Sequence, residues 1–347
     1  MNRRNLLKLT ALSSLFLLNS GTNKPTFANT SSKIKQKKIE PGDKVALVSP
    51  ASNVTDLMDV YRAQEICDKL TLNTILPKSI VKTASGYKTR SAEERVDELH
   101  QAFSDKSIKA IFTIRGGFGS AELLEKLDFD LIKSNPKILC GYSDITALLT
   151  GINKKTGLVT FHSPVMLSNF DSVTYESFQN ILFKNEAYGT IDNPVSNGVR
   201  ASNPTITING GKAKGELVGG NLSLLTSLIG TPFEIETKNK IIFIEDVGEA
   251  PYRLERMLTQ MRMSGLLDNI AGVVIGKCDD CTAGSSQMSW DRSELEVYNY
   301  IFADKKYPVF YGLLFGHTST QFTIPLGISA EIDSDKGSMN ILESAVI

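Results

Sequence analysis

Histidine is scarce in this chain: three residues in 347, beside four cysteines and one tryptophan. A zinc site draws its ligands from closely spaced Cys and His. Cys278-Asp279-Asp280-Cys281 forms one CxxC, and no second CxxC or histidine pair completes the set, so no metal is expected. A local disulfide or two free thiols is the expectation for that pair. Cys67 and Cys140 stand alone in apolar patterns and read as buried thiols. The glycine-rich loop Arg115-Gly116-Gly117-Phe118-Gly119 lacks both the G-x-G-x-x-G spacing and a following P-loop Lys-Ser, which argues against a dinucleotide or other cofactor. Nothing is repetitive or low in complexity, which argues against a structural envelope protein.

Net charge is missing too: 38 basic residues stand against 38 acidic. The N-terminus makes this balance provisional. Arg3, Arg4 and Lys8 precede an apolar run over 9–18, and Thr26-Phe27-Ala28 offers small residues where a signal peptidase reads. The run is too short for a membrane span. Residues 1–28 therefore read as a secretory signal and the mature protein as exported, to the periplasm. Asn2-Arg3-Arg4-Asn5-Leu6-Leu7-Lys8 also has the form of a twin-arginine signal, with an ordinary secretory signal as the alternative. Cleavage after Ala28 removes Arg3, Arg4, Lys8 and Lys24 and no acid, taking the count to 34 basic against 38 acidic, a net charge of −4. A mildly acidic protein is a poor partner for nucleic acid or an anionic membrane.

What is present is an alternation of strands and helices. Residues 29–40 are polar and basic, a flexible lead-in. Short continuous apolar runs at 44–49, 73–76, 110–114, 138–140 and 158–161 read as buried strands. Helical spacing over 56–70, a capping box at Ser91-Ala92-Glu93-Glu94, and leucines at 123, 124 and 127 place helices between them. Continuous rather than alternating apolar strands indicate a parallel sheet covered on both faces, with its site at the carboxyl ends of the strands. Residues 41–185 thus form an N-terminal α/β domain. From about 186 to 220 Gly, Asn, Thr and Val dominate and short strands with turns fit better, so 186–218 reads as a linker leading into a second domain. Residues 219–347 then form a C-terminal β-rich α/β domain, with a strand at 241–244, a helix at 252–263, a strand at 272–275 and a helix at 293–302.

Chemistry concentrates where the strand at 138–140 meets a helix. Gly141 permits a tight turn, and Ser143 falls between strand end and helix N-terminus, the setting of a nucleophile elbow. A serine nucleophile needs a base and an acid to orient that base. His100 reads as a solvated surface residue. His162 and His317 both lie at strand ends, and the residues leave the base open between them. Glu245 ends an apolar strand and is the candidate acid; a salt bridge to Arg253 or Arg256 is the competing reading. The glycine loop at 115–119 has backbone amides to offer an oxyanion.

These segments also carry a resemblance. GDKVALVSPAS (42–52), the stretch 110–149 with RGGFGS and PKILCGYSDITALL, TFHSP (160–164), GGNLSLLTSLIGTP (219–232), IFIEDVGEAPYRLERMLTQM (242–261) and FGHT (315–318) together resemble the LD-carboxypeptidase family, which includes the microcin C self-immunity peptidases. The resemblance implies a Ser-Glu-His triad of Ser143, Glu245 and His317. It implies an oxyanion hole from the main-chain amides of Gly116 (Gly117 is the near alternative) and Asp144. It implies homodimers, no cofactor, and a murein tetrapeptide substrate that loses its terminal D-Ala. Ser163 departs from the glycine frequent at that position, and the export signal departs from the many cytoplasmic members. Two other readings follow: a microcin-type peptidase cleaving aminoacyl-nucleotide amides, for which Trp290 would be an aromatic platform, and a non-catalytic muropeptide-binding protein.

Overall fold

The first five strands are the apolar runs: β1 (Lys44–Val48), β2 (Asn73–Ile75), β3 (Ile108–Thr113), β4 (Ile138–Gly141) and β5 (Thr160–His162). All are parallel, in the order β5-β4-β3-β1-β2. This computed structural model describes residues 33–77, 80–81, 90–195, 201–281 and 292–347. Every residue of β4 is buried, as a strand covered on both faces requires. The covering helices are α1 (Leu57–Lys69), α2 (Ala92–Ser104), α3 (Phe129–Ser134), α4 (Thr146–Thr156) and α5 (Ser172–Phe183). The Ser91 capping box opens α2, its side chain and that of Glu94 exchanging bonds with each other's backbone amides. The order of strands reverses between β1 and β3, so the loops after those two strands flank a topological switch point, where open α/β sheets bind ligands.

The second sheet has eight strands. Its centre is β8 (Lys212–Asn221), β9 (Ile241–Glu245), β10 (Gly272–Gly276) and β11 (Val309–Leu313), all parallel. The antiparallel strand β7 (Ile206–Asn209) pairs with β11 at one edge. At the other, β13 (Ser329–Asp333), β14 (Ser338–Ile341) and β6 (Gly189–Ile191) are added antiparallel. Helices α6 (Leu222–Ser227), α7 (Pro251–Met263) and α8 (Glu294–Phe302) complete the described elements. The remaining strand, β12 (Ile324–Leu326), returns to the first sheet and pairs antiparallel with β5, Ile324 opposite His162. Both sheets lie in one compact unit, residues 33–347. This is a mixed α/β fold with a parallel-sheet N-terminal part and a sheet-rich C-terminal part.

Two expectations change. The lead-in over 29–40 is docked where it is described. Ile34 bridges Leu158, Ile39 is 1% exposed, and Lys33 and Lys35 bond Glu343 at 2.6 and 2.7 Å. The segment read as a linker, 186–218, holds β6, β7 and most of β8, the short strands its composition suggested, and these are built into the second sheet. They are half-exposed, with polar side chains on their solvent faces. No helix of the described residues is long and apolar enough to cross a membrane. The signal segment 1–28 lies outside the described residues.

Candidate active site

Ser143 follows β4 by two residues. Tyr142 is extended, and Ser143 takes φ +62°, a left-handed state that is uncommon for a residue with a side chain. Holding it there costs about 1–3 kcal/mol, and such strain gathers at functional sites. A 3₁₀ turn over 143–145 and then α4 follow at once. Asp144 clamps the elbow in place. Its buried carboxylate accepts from the amides of Gly119 at 3.3 Å and Ser120 at 2.8 Å, and Ser120 Oγ donates back to the Asp144 carbonyl. The glycine loop is thereby tied to the elbow. Nothing in the sequence marked this side-chain role of Asp144.

The loop lies against the serine because Gly116 has no side chain. A Cβ there would sit 2.9 Å from Ser143 Cβ and 3.1 Å from Ser143 Oγ. Gly117, at φ +120°, faces Ser52 instead. The Gly116 amide has no acceptor among the described residues. The Asp144 amide, at the start of a helical turn, belongs to those a helix leaves unpaired.

Glu245 ends β9, and His317 lies in the loop 314–323 between β11 and β12. That loop runs from one sheet to the other and so carries the imidazole to Ser143. His317 Nε2 is 3.0 Å from Ser143 Oγ, and His317 Nδ1 is 2.7 Å from Glu245 Oε2. The His317 amide donates to the same carboxylate oxygen at 3.2 Å. Gly316 makes this possible: it has φ +78°, and a Cβ there would overlap the Glu245 carboxylate. Burial disfavours charge on both groups, but their mutual bond and opposite charges outweigh it. His317 is held above the ordinary imidazole value and Glu245 below the usual carboxylate value. Glu245 does not bridge to an arginine; Arg253 pairs with Glu249 at 3.6 Å.

His162, the other candidate base, is elsewhere. Its buried ring packs edge-on against Phe243 at 5.5 Å and Phe315 at 5.9 Å, and burial pushes its pKa down to about 4. Both its ring nitrogens, and Glu245 Oε1, lack partners among the described residues. His100 is partly exposed and accepts the Asp128 amide at 2.9 Å, bracing the start of α3. Asp246 is also buried. It accepts from Asn221 Nδ2 at 3.1 Å, the Ser223 amide at 2.9 Å and Ser223 Oγ at 2.8 Å, joining the ends of β8 and β9.

Ser143 and His317 open into a cleft of about 370 Å³ that Asp59, Arg115, Gly116, Gly117 and Tyr142 also line. A larger cavity of about 560 Å³ lies between α2 and β1–β3, where acids line it and no nucleophile does. Cys278 and Cys281 are joined in a disulfide, and Asp279 accepts the Gly248 amide at 2.9 Å. Cys67 and Cys140 are buried free thiols. Among the described residues no group of three or more His, Cys, Asp or Glu is placed to hold a metal ion. Trp290 lies outside the described residues. A nucleophile, a base oriented by a buried acid, and free amides beside the nucleophile are the parts of acyl-transfer chemistry.

Comparison with known proteins agrees in kind. Profiles of the LD-carboxypeptidase N-terminal and C-terminal domains match residues 45–163 and 214–332. A probable murein peptide carboxypeptidase of Bacillus subtilis is 36% identical over 305 residues, covering 86% of this chain and 92% of that one. The microcin C7 self-immunity protein MccF of Escherichia coli is 31% identical over 329 residues, covering 87% and 94%. Among solved structures, an MccF-like protein from Bacillus anthracis superposes with TM-score 0.79 at 29% identity, covering 89% of this chain and 99% of that one. A muramoyltetrapeptide carboxypeptidase from Oxalobacter formigenes gives TM-score 0.71 at 26% identity, covering 86% and 97%. This chain belongs to the LD-carboxypeptidase family and is a serine-type carboxypeptidase.

Proposed function

We propose that the protein releases the terminal D-Ala of murein tetrapeptides through an acyl-enzyme, with Ser143 as nucleophile, His317 as base and Glu245 as the acid that orients it. The observation that carries this is the unbroken run of bonds from Ser143 Oγ through His317 to a buried carboxylate. His317 Nε2 takes the Ser143 proton as Oγ bonds to the scissile carbonyl carbon. The Gly116 and Asp144 amides receive the oxyanion. Its collapse breaks the C–N bond, and His317 returns the proton to the departing D-Ala amine. A water then loses a proton to His317, attacks the ester, and frees Ser143 and the tripeptide acid. Glu245 holds Nδ1 protonated and offsets the charge that forms on the ring.

The test is D-Ala release from L-Ala-γ-D-Glu-meso-diaminopimelate-D-Ala by the mature chain and by Ser143→Ala. Release by the first, reduced at least about 10³-fold in the second, is expected. Absence of release by the first would overturn the reading. The likeness to MccF, one structure of which is titled as a complex with glutamyl sulfamoyl guanosine, favours a second reading: cleavage of aminoacyl-nucleotide amides at the same serine. The same pair of proteins tested on such an amide decides between them. Export, by the basic and apolar N-terminus, and a homodimer complete the proposal; cell fractionation and sedimentation test these.

A further inference from the structure

Arg90, Arg95 and Arg115 belong to the N-terminal part, and the first two are buried and have several partners each. Arg90 bonds Glu98, the Ser49 carbonyl and Asn53 Oδ1. Arg95 bonds Glu122 and the carbonyls of Pro50 and Gly119. Arg115 does not. It lines the cleft beside Ser143 and His317, is half-buried, and donates one long bond, 3.4 Å, to the Asn53 carbonyl. Among the described residues it has no acidic partner. A guanidinium carries five N–H donors in a fixed fork and never deprotonates. With one long bond made, its remaining donors in the cleft are available to an anion.

Its position says which anion. Arg115 directly precedes Gly116, which lies against Ser143, so its Cα lies about 3.8 Å from that glycine's. In a peptide held with its last amide bond at Ser143, the terminal carboxylate is separated from the scissile nitrogen by one carbon. The two oxygens of that carboxylate match the guanidinium fork. Asp59, with Arg62 3.4 Å away, also lines the cleft and repels a carboxylate from its own side. Among the described residues no other arginine or lysine lines it.

We infer that Arg115 reads the free C-terminal carboxylate of the substrate, and that this residue confines the site to peptides ending in one. The inference rests on the carboxypeptidase reading above. It is tested with two substrates on each enzyme preparation: the tetrapeptide ending in D-Ala and the same peptide ending in D-alaninamide. The ratio of kcat/KM values, acid over amide, cancels the fraction of folded protein. The wild type should favour the acid by about 10- to 100-fold, the range for a hydrogen-bonded charged group. In Arg115→Met the ratio should fall to within about threefold of unity. Arg115→Lys, which keeps the charge and loses the fork, should lower it at least about threefold.

A wild-type ratio near unity with D-Ala released would overturn the assignment and leave the carboxypeptidase reading standing. A wild-type ratio retained in Arg115→Met would place the discrimination on another residue. An unchanged ratio in Arg115→Lys overturns the assignment even if Arg115→Met does not accumulate. No release from either substrate would remove the carboxypeptidase reading, and this inference with it.

Discussion

Gly316 offers a matched comparison. Its φ is +78°, and a Cβ built there would overlap Oε2, Cδ and Cγ of Glu245, all inside 3.0 Å. Gly230 has nearly the same backbone, φ +80°, with nothing within 4 Å of its Cβ position. Alanine at either position carries the same left-handed strain, about 1–2 kcal/mol. The difference between them is the contact. In Gly316→Ala the methyl meets the end of a side chain rather than backbone, so Glu245 is what moves. Moving it gives up the 2.7 Å bond to His317 Nδ1 and the 3.2 Å bond from the His317 amide. A bond to a charged group contributes about 1.5–3 kcal/mol, and overpacking a filled site costs about 1–3 kcal/mol. Gly230→Ala should therefore lose about 1–2 kcal/mol of unfolding free energy and keep kcat within about twofold. Gly316→Ala should lose about 1–3 kcal/mol more and reduce kcat by about 10²- to 10⁴-fold, as when a triad acid loses its hold on the imidazole. Denaturant unfolding and D-Ala release on the two variants measure both. If Gly316→Ala unfolds like Gly230→Ala and turns over like the wild type, Glu245 yields without consequence and the bonded chain does not support the reaction.

Two other outcomes follow from strain and charge. Ser143→Gly removes the side chain from a position at φ +62°, so it should abolish turnover while raising stability by about 1 kcal/mol, read as an increased melting temperature. The acidic limb of kcat/KM should have its midpoint above the ordinary imidazole value of ~6.5, because the base must be neutral and Glu245, helped by Asp246 and Asp279, raises His317. Glu245→Gln should move that limb down. The same shift contributes stability that is whole below pH ~6.5 and fades as pH rises through the folded value. His162 runs the other way: held neutral to about 4 by burial, its contribution is lost as pH falls from ~6.5 through that value, and its ring proton signals should stay unshifted in NMR titrations above pH 5 where those of His317 move.

The clamp at Asp144 and the overlap avoided at Gly116 share one effect. Both keep the glycine loop against the elbow, so in the proposed reaction the amides there would need no rearrangement to receive an oxyanion. Two loops after parallel strands of the first sheet, those following β3 and β4, supply these parts. Glu245 comes from the second sheet and His317 from the loop that leaves it.

Strand by strand, the parallel sheet was legible because buried strands are continuous apolar runs, and the runs 44–49, 110–114 and 138–140 fall on β1, β3 and β4. The elbow was legible too, since a strand, a glycine and a helix start are local in sequence. Its resemblance to a family named Ser143, Glu245 and His317 together. Composition suggested the short strands β6, β7 and β8 without showing that they join one sheet, and it misled at the lead-in, where Ile39 is core. The residues by themselves left the base open between His162 and His317, because both end apolar segments. Tertiary structure separates the two. Pairing of β12 with β5 draws the loop 314–323 across from the second sheet to the first, setting His317 against Ser143 and placing Ile324 of β12 opposite His162. A sequence determines which residues want burial and where the chain can turn; which loop crosses between two sheets is set by how their edges pair, a contact between residues more than 150 positions apart.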